Sequence, residues 1–378
     1  MNWARTTTKT LKPIRVLQNH AVVVGSRILQ RRPISQVVQI PLIFGGLLVA
    51  LWTWKSLMLI VFQDKIIYMP YLGRQEQLEH HPTPAVEWSR HALRTSDHVT
   101  IVLCNAKLTK AKRDQSVRGN AECSDDCRKR VTMVYLQGNA SSTPPRLPHL
   151  SKFLTHSQRA LPDTDIDLWT VSYRGYWEST GRPSEAGLLQ DVRDSLTYIL
   201  KPLIEPTEAV NPEKVAQDSE PQDEVILWGH SIGASLAIQS LHHVFGILDD
   251  RGPDRPVKVI LETPFDSIRS VLLALYPEPW LPYRYLSPFL RTRLDMGHAL
   301  TRLSREARSV PRVRDLQVLL AIAEKDEIVP PGVSRGVVSV LEQNGVRRVV
   351  TRVVRGGLHQ DCLMKPEMHR FVTEFMRD

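Results

Sequence analysis

Between Pro33 and Trp54 the chain runs for 22 residues without a charged side chain, "PISQVVQIPLIFGGLLVALWTW". At a rise of about 1.5 Å per residue a helix of that length covers roughly 33 Å, enough to cross a hydrocarbon core of about 30 Å. A buried core helix is rarely so long or so free of charge. The apolar character continues past Lys55 through "SLMLIVF". A transmembrane helix is therefore expected over 37–62, with a basic segment at 1–36 before it and a soluble domain at 63–378 after it. Lys55, close to the helix end, is expected to reach the interface beside Trp52 and Trp54.

Charge sets the expected orientation. Eight of the 49 basic residues and none of the 40 acidic ones lie in residues 1–63, so all but one unit of the net charge of +9 belongs to that flank. The positive-inside bias puts the N-terminus in the cytoplasm and residues 63–378 in the lumen, in the endoplasmic reticulum or elsewhere in the endomembrane system. A second reading is the mitochondrial inner membrane, since the first 33 residues are rich in Arg and Thr and lack acids. With the soluble part near neutrality, no basic face for nucleic acid is expected. Four cysteines are too few for a disulfide scaffold, and no second Cys/His pair accompanies Cys123 and Cys127, so no metal site is expected.

Beyond the anchor, apolar β-rich runs alternate with helical patterns, which signals an α/β domain with a mostly parallel sheet. Strands are expected at Val99–Cys104, Val131–Leu136, Leu168–Tyr173, Val225–Trp228, Val257–Leu261, Leu316–Ile322 and Arg348–Val354. Most are unbroken Val/Ile/Leu runs, as strands covered on both faces require. Two polar insertions, 107–130 and 205–224, read as solvated loops.

One stretch carries chemistry. In "ILWGHSIGASLA" a strand-like run ends at Gly229-His230-Ser231-Ile232-Gly233 and resumes as a helix. A G-x-S-x-G turn in that setting exposes a serine on a strained corner, with glycines relieving the crowding on both sides. A serine hydroxyl is a weak nucleophile and needs a base, which in turn needs an orienting acid. In the order this topology demands, "LQVLLAIAEKDEIVPP" supplies Asp326 and "RVVTRVVRGGLHQDC" supplies His359 after their strands. Glu324, Glu327 and Asp266 are alternative acids. His242, His243 and His298 are more simply surface or packing histidines, and His230 a support for the turn. The amides of Ile232 and Asn139 are the expected oxyanion donors, Asn139 following Gly138 in "VTMVYLQGNASS". Asn139-Ala140-Ser141 is also a glycosylation sequon, expected to stay unused because a glycan there would block the site.

The segments "VYLQGNASS", "VSYRGYWESTGRPSEAGLLQD", "ILWGHSIGASLA", "VILETPFDSI", "AEKDEIVPP" and "GGLHQD" together resemble the membrane-anchored α/β-hydrolase-domain serine hydrolases, the group that includes monoacylglycerol and lysophospholipid lipases. The likeness runs from about Asp64 to the C-terminus. It implies an α/β-hydrolase fold with a short lid, catalytic Ser231, Asp326 and His359, no cofactor, and packing roles for Arg174 and Glu185. One departure is plain: the family commonly has His-Gly-Asn where this chain has Gln137-Gly138-Asn139.

A connection at 264–315 is where such folds place a lid, and it holds "LLALYPEPWLPYRYLSPFL". With the anchor beside it, this region favours an ester substrate that partitions into the bilayer, a monoacylglycerol or lysophospholipid. Two rivals remain. An acyl-protein thioesterase would need the domain to face the cytosol, and a catalytically silent hydrolase fold would serve as a tethered interaction module.

Overall fold

The computed structural model describes residues 36–70, 85–109, 129–139, 142–204, 223–249, 255–306 and 309–378. The basic segment, most of both polar insertions, and Cys123 and Cys127 lie outside those residues. Helix α1 spans Gln36–Val61, and its stretch Val37–Val61 is long and apolar enough to cross a membrane. A short helix α2, Gln63–Tyr68, follows directly.

Among the described residues, the part after α2 is built on one eight-stranded sheet: β1 Val86–Arg94, β2 Thr100–Leu108, β3 Lys129–Leu136, β4 Thr164–Ser172, β5 Asp223–His230, β6 Val257–Glu262, β7 Gln317–Ala323 and β8 Arg348–Val354. The spatial order is β1-β2-β4-β3-β5-β6-β7-β8. Strands β1 and β2 pair antiparallel, as do β2 and β4; every later pairing is parallel. The central strands β5 and β6 are buried along their whole length, which explains the apolar runs Val225–Trp228 and Val259–Leu261 within them, while buried Lys258 of β6 pairs with Glu224 of β5 at 2.9 Å. Strand β1 was not among the expected ones. Its burial alternates because one face of an edge hairpin meets water, and "VEWSRHALR" carries the mixed polarity that goes with it.

Helices cover both faces of the sheet. On one side α4 (Glu185–Ile204), α5 (Ile232–Asp249), α7 (Met296–Arg305) and α9 (Pro331–Gln343) bury a core that includes Leu188, Leu236, Leu300 and Leu341. On the other, α3 (Leu147–Ala160) and α10 (Pro366–Arg377) pack Phe153, Leu154, Met368 and Val372 against Tyr135 and Trp228. The connection after β6 contains α6 (Ile268–Leu275), a 3-10 segment (Pro282–Phe289), α7 and α8 (Ser309–Asp315). Glu185 holds this connection to α4 by accepting from the Arg293 amide at 2.6 Å and the Leu294 amide at 2.9 Å. Arg174 is clamped between Asp191 and Asp97 at 2.6–3.0 Å, tying the turn after β4 to α4.

Candidate active site

Ser231 occupies the single-residue corner between β5 and α5, with φ of +53°, a left-handed conformation unusual for a residue with a Cβ. The corner persists because its surroundings determine it. The Ser231 amide donates to the Glu262 carbonyl at 2.9 Å, tying the corner to the end of β6. The flanking glycines are needed at these positions. A Cβ on Gly229 would overlap the Gly233 carbonyl, and one on Gly233 would overlap the Leu136 carbonyl at the end of β3. The two glycines thus let α5 pass close to the sheet.

The structure brings Ser231, His359 and Asp326 together from three separate strand ends. His359 Nε2 lies 2.9 Å from Ser231 Oγ, and its Nδ1 lies 3.0 and 2.9 Å from the two Asp326 carboxylate oxygens. A proton on Nδ1 directed at the carboxylate leaves Nε2 to accept from the hydroxyl. Both the His359 and Asp326 side chains are almost fully buried. Asp326 is itself fixed by the Ile328 and Val329 amides, which donate to Oδ1 at 2.9 and 2.7 Å.

The alternative acids have other partners. Glu327 accepts from the His359 amide at 3.0 Å, and Glu324 from the Gly356 amide at 2.7 Å. Both hold the turn that carries His359, so neither is a simple solvated loop carboxylate. Asp266, in the connection after β6, accepts from Ser267 Oγ at 3.2 Å. His242 pairs with Glu306, and His243 lies 3.1 Å from the Arg193 carbonyl.

His230 does more than support its own turn. Fully buried, it directs Nε2–H at the His359 carbonyl at 2.8 Å, and burial pushes its pKa well below the usual 6.5. It packs so closely on Gly138 that a Cβ there would collide with the ring. Two further residues hold the same loop. Arg146, at the start of α3, donates to the carbonyl and side-chain oxygen of Gln360. Buried Glu262 accepts from the Leu363 amide at 3.0 Å and from Trp228 Nε1 at 2.9 Å, while burial pushes its carboxyl up. Sequence reasoning missed Arg146 and Glu262; the only signal for the latter was a charge closing the apolar run "VILE".

Ile232 and Asn139 both line the pocket beside Ser231, and among the described residues neither amide takes part in a backbone hydrogen bond. Gln137 is buried, with its carbonyl receiving the Tyr173 hydroxyl at 3.0 Å and its Oε1 receiving Thr143 Oγ1 at 3.1 Å. The side chain is thereby directed into the protein. The pocket itself has a volume of about 320 Å³. Among its described lining residues, only Gln63, Asn139, Ser231 and Tyr276 bring hydrogen-bonding side chains.

The chain is similar to known proteins over this region. It is 28% identical over 278 residues to protein bem46 of Schizosaccharomyces pombe, covering 71% of this chain and 72% of that one. It is 25% identical to the lysophosphatidylserine lipase ABHD12 of Danio rerio, over 65% of this chain and 58% of the lipase. It is 23% identical to the uncharacterized protein YfhR of Salmonella typhi, of which it spans only 56%. A solved alpha-beta hydrolase from Vibrio vulnificus superposes with a TM-score of 0.53 at 15% identity, covering 84% of this chain and 90% of that one, and shares the fold. The alpha/beta hydrolase family profile matches residues 141–374, which takes in Ser231, Asp326 and His359. Since that match covers well over half of the sequence, the chain belongs to the alpha/beta hydrolase family.

Proposed function

We propose that this hydrolase cleaves carboxylic esters of lipids, a monoacylglycerol or lysophospholipid, through an acyl-Ser231 intermediate. The observation that carries the reading is His359, hydrogen-bonded at 2.9 Å to Ser231 and to Asp326 at the inner end of an apolar pocket. In this mechanism Nε2 takes the hydroxyl proton as Oγ attacks the ester carbonyl. The Ile232 and Asn139 amides receive the oxyanion. The tetrahedral intermediate expels the alcohol, which leaves with the proton from His359. A water activated by the same imidazole then releases the fatty acid and restores Ser231. Both oxyanion donors are main-chain groups, so Gln137 in place of histidine leaves this scheme intact.

The likeness to a lysophosphatidylserine lipase supports a lipid ester over a soluble one. So does the anchor, for which we propose a cytoplasmic N-terminus and a lumenal catalytic domain. The test is a fluorophosphonate probe on full-length protein in membranes. Labelling should be lost in Ser231→Ala, and kcat on a lysophospholipid should fall by at least about 10³-fold. A folded wild type that takes no label would overturn the proposal and leave a silent hydrolase fold.

A further inference from the structure

The segment that follows the membrane span is built into the pocket. Leu59 and Ile60 in the last turn of α1, and Ile66 and Ile67 in α2, form one wall. Leu272, Leu275, Leu286 and Phe289 of the lid form the wall opposite. Ser231 and the buried Phe265 and Val329 close the inner end. Several lining residues are also exposed, and they therefore mark the mouth: Ile66 at 46%, Leu275 at 50% and Phe289 at 58%. Isolated in water, such an apolar rim would be unfavourable. It is, however, joined to the end of α1, because Gln63, which opens α2 just after that helix, donates to the Phe289 carbonyl at 3.2 Å.

Polar contacts lock the two walls together. Buried Gln63 donates to the carbonyls of Ile60 and Phe289, and its Oε1 accepts from the Arg291 amide at 2.7 Å. The Arg291 guanidinium donates to the carbonyls of Ile60 and Val61 at the end of α1 and pairs with Asp64 at 3.6 Å. Lys55 does not simply reach for the interface; its Nζ sits 4.4 Å from the Tyr283 ring centroid in the lid, a cation–π contact. Tyr68 Oη and Thr292 Oγ1 lie 3.2 Å apart, which adds a further stitch.

We propose that residues Leu59–Met69 are a permanent wall of an acyl-chain site, whose mouth opens where the chain leaves the bilayer, so that a single-chain lipid passes from the membrane to Ser231 without crossing water. The proposal rests on the ester-hydrolase reading for its chemistry, although the cavity's role in binding does not require turnover. A cavity of about 320 Å³ lies at the low end of the roughly 300–1,000 Å³ of small-ligand sites.

The test uses full-length Ser231→Ala protein in phosphatidylcholine vesicles, with a long-chain lysophosphatidylcholine carrying a diazirine at the end of its acyl chain. Photolabel is expected on both 59–69 and 268–275. Excess unlabelled lysolipid should suppress it by about tenfold, as saturable occupancy requires. Leu272→Trp, added to fill the cavity, should remove most of the label from 59–69 without lowering the melting temperature. Label confined to 36–58, label that excess lysolipid does not suppress, or label indifferent to Leu272→Trp would each overturn the proposal. Wild-type protein is assayed for hydrolysis in parallel. Saturable labelling with no hydrolysis would overturn the serine reading alone; hydrolysis without saturable labelling would overturn the acyl-wall proposal alone.

Discussion

At the residue scale, the Asp326 carboxylate and two glycines, one in the serine motif and one in α9, lead to sharp expectations. Asp326 faces His359 and also receives two main-chain amides, and an asparagine oxygen in its place could keep those amide bonds. Asp326→Asn is therefore expected to leave the melting temperature near wild type while lowering kcat by about 10⁴-fold, because the wrong imidazole tautomer is held. Glycine-to-alanine substitution should have opposite signs at two sites. At Gly233 the new methyl would meet the Leu136 carbonyl, a main-chain atom that cannot swing aside, and overpacking of this kind costs about 1–3 kcal/mol. Gly336 lies exposed inside α9 with nothing near its missing Cβ. Gly336→Ala should stabilise by about 0.5–1 kcal/mol through helix propensity. Denaturant melts of the two variants check both signs.

At the scale of elements, the loop carrying His359 is held from several directions, and one of its supports responds to pH. His230 is kept neutral by burial, with its pKa well below the ordinary 6.5, while in the unfolded chain it titrates normally. The unfolded state therefore binds the extra proton, so this contribution to stability is complete above pH 6.5 and declines as the pH falls below it. The expected slope is up to about 1.4 kcal/mol per pH unit from this residue. Buried His369 shifts in the same direction and adds to the slope. Melting curves between pH 7 and 5, a range that spans the ordinary histidine titration, should show a shallower decline for His230→Asn than for the wild type. The sequence made the sheet and the order of Ser231, Asp326 and His359 legible, because buried parallel strands write themselves as apolar runs and polar side chains follow them at loop starts. Strand β1 was not legible, since an edge exposed on one face has no such run. The job of His230 was hidden for another reason: its partner is a backbone carbonyl 129 residues away, which no local pattern marks. Arg146 and Glu262 were missed because they bind main-chain groups of the same distant loop.

At the scale of the whole molecule, the placement of Asn139 and the end of α1 bear on what the chain can do. Asn139 is half-buried at the pocket, with its Oδ1 enclosed and without a partner among the described residues. In a lumenal orientation the sequon should nonetheless carry no glycan, so endoglycosidase treatment should leave electrophoretic mobility unchanged. A protease-protection assay on sealed vesicles should leave the domain intact until detergent is added; digestion from outside would favour the thioesterase reading. The stitching of Gln63 and Arg291 between the span and the lid carries one more consequence, which concerns release. Cut loose by a protease just after Met69, the chain would keep its serine, imidazole and carboxylate in register, but it would lose Leu59, Ile60, Ile66 and Ile67, and one flank of the cavity would be breached and flooded. No shed, freely diffusing pool of this protein would then share the work of the tethered one.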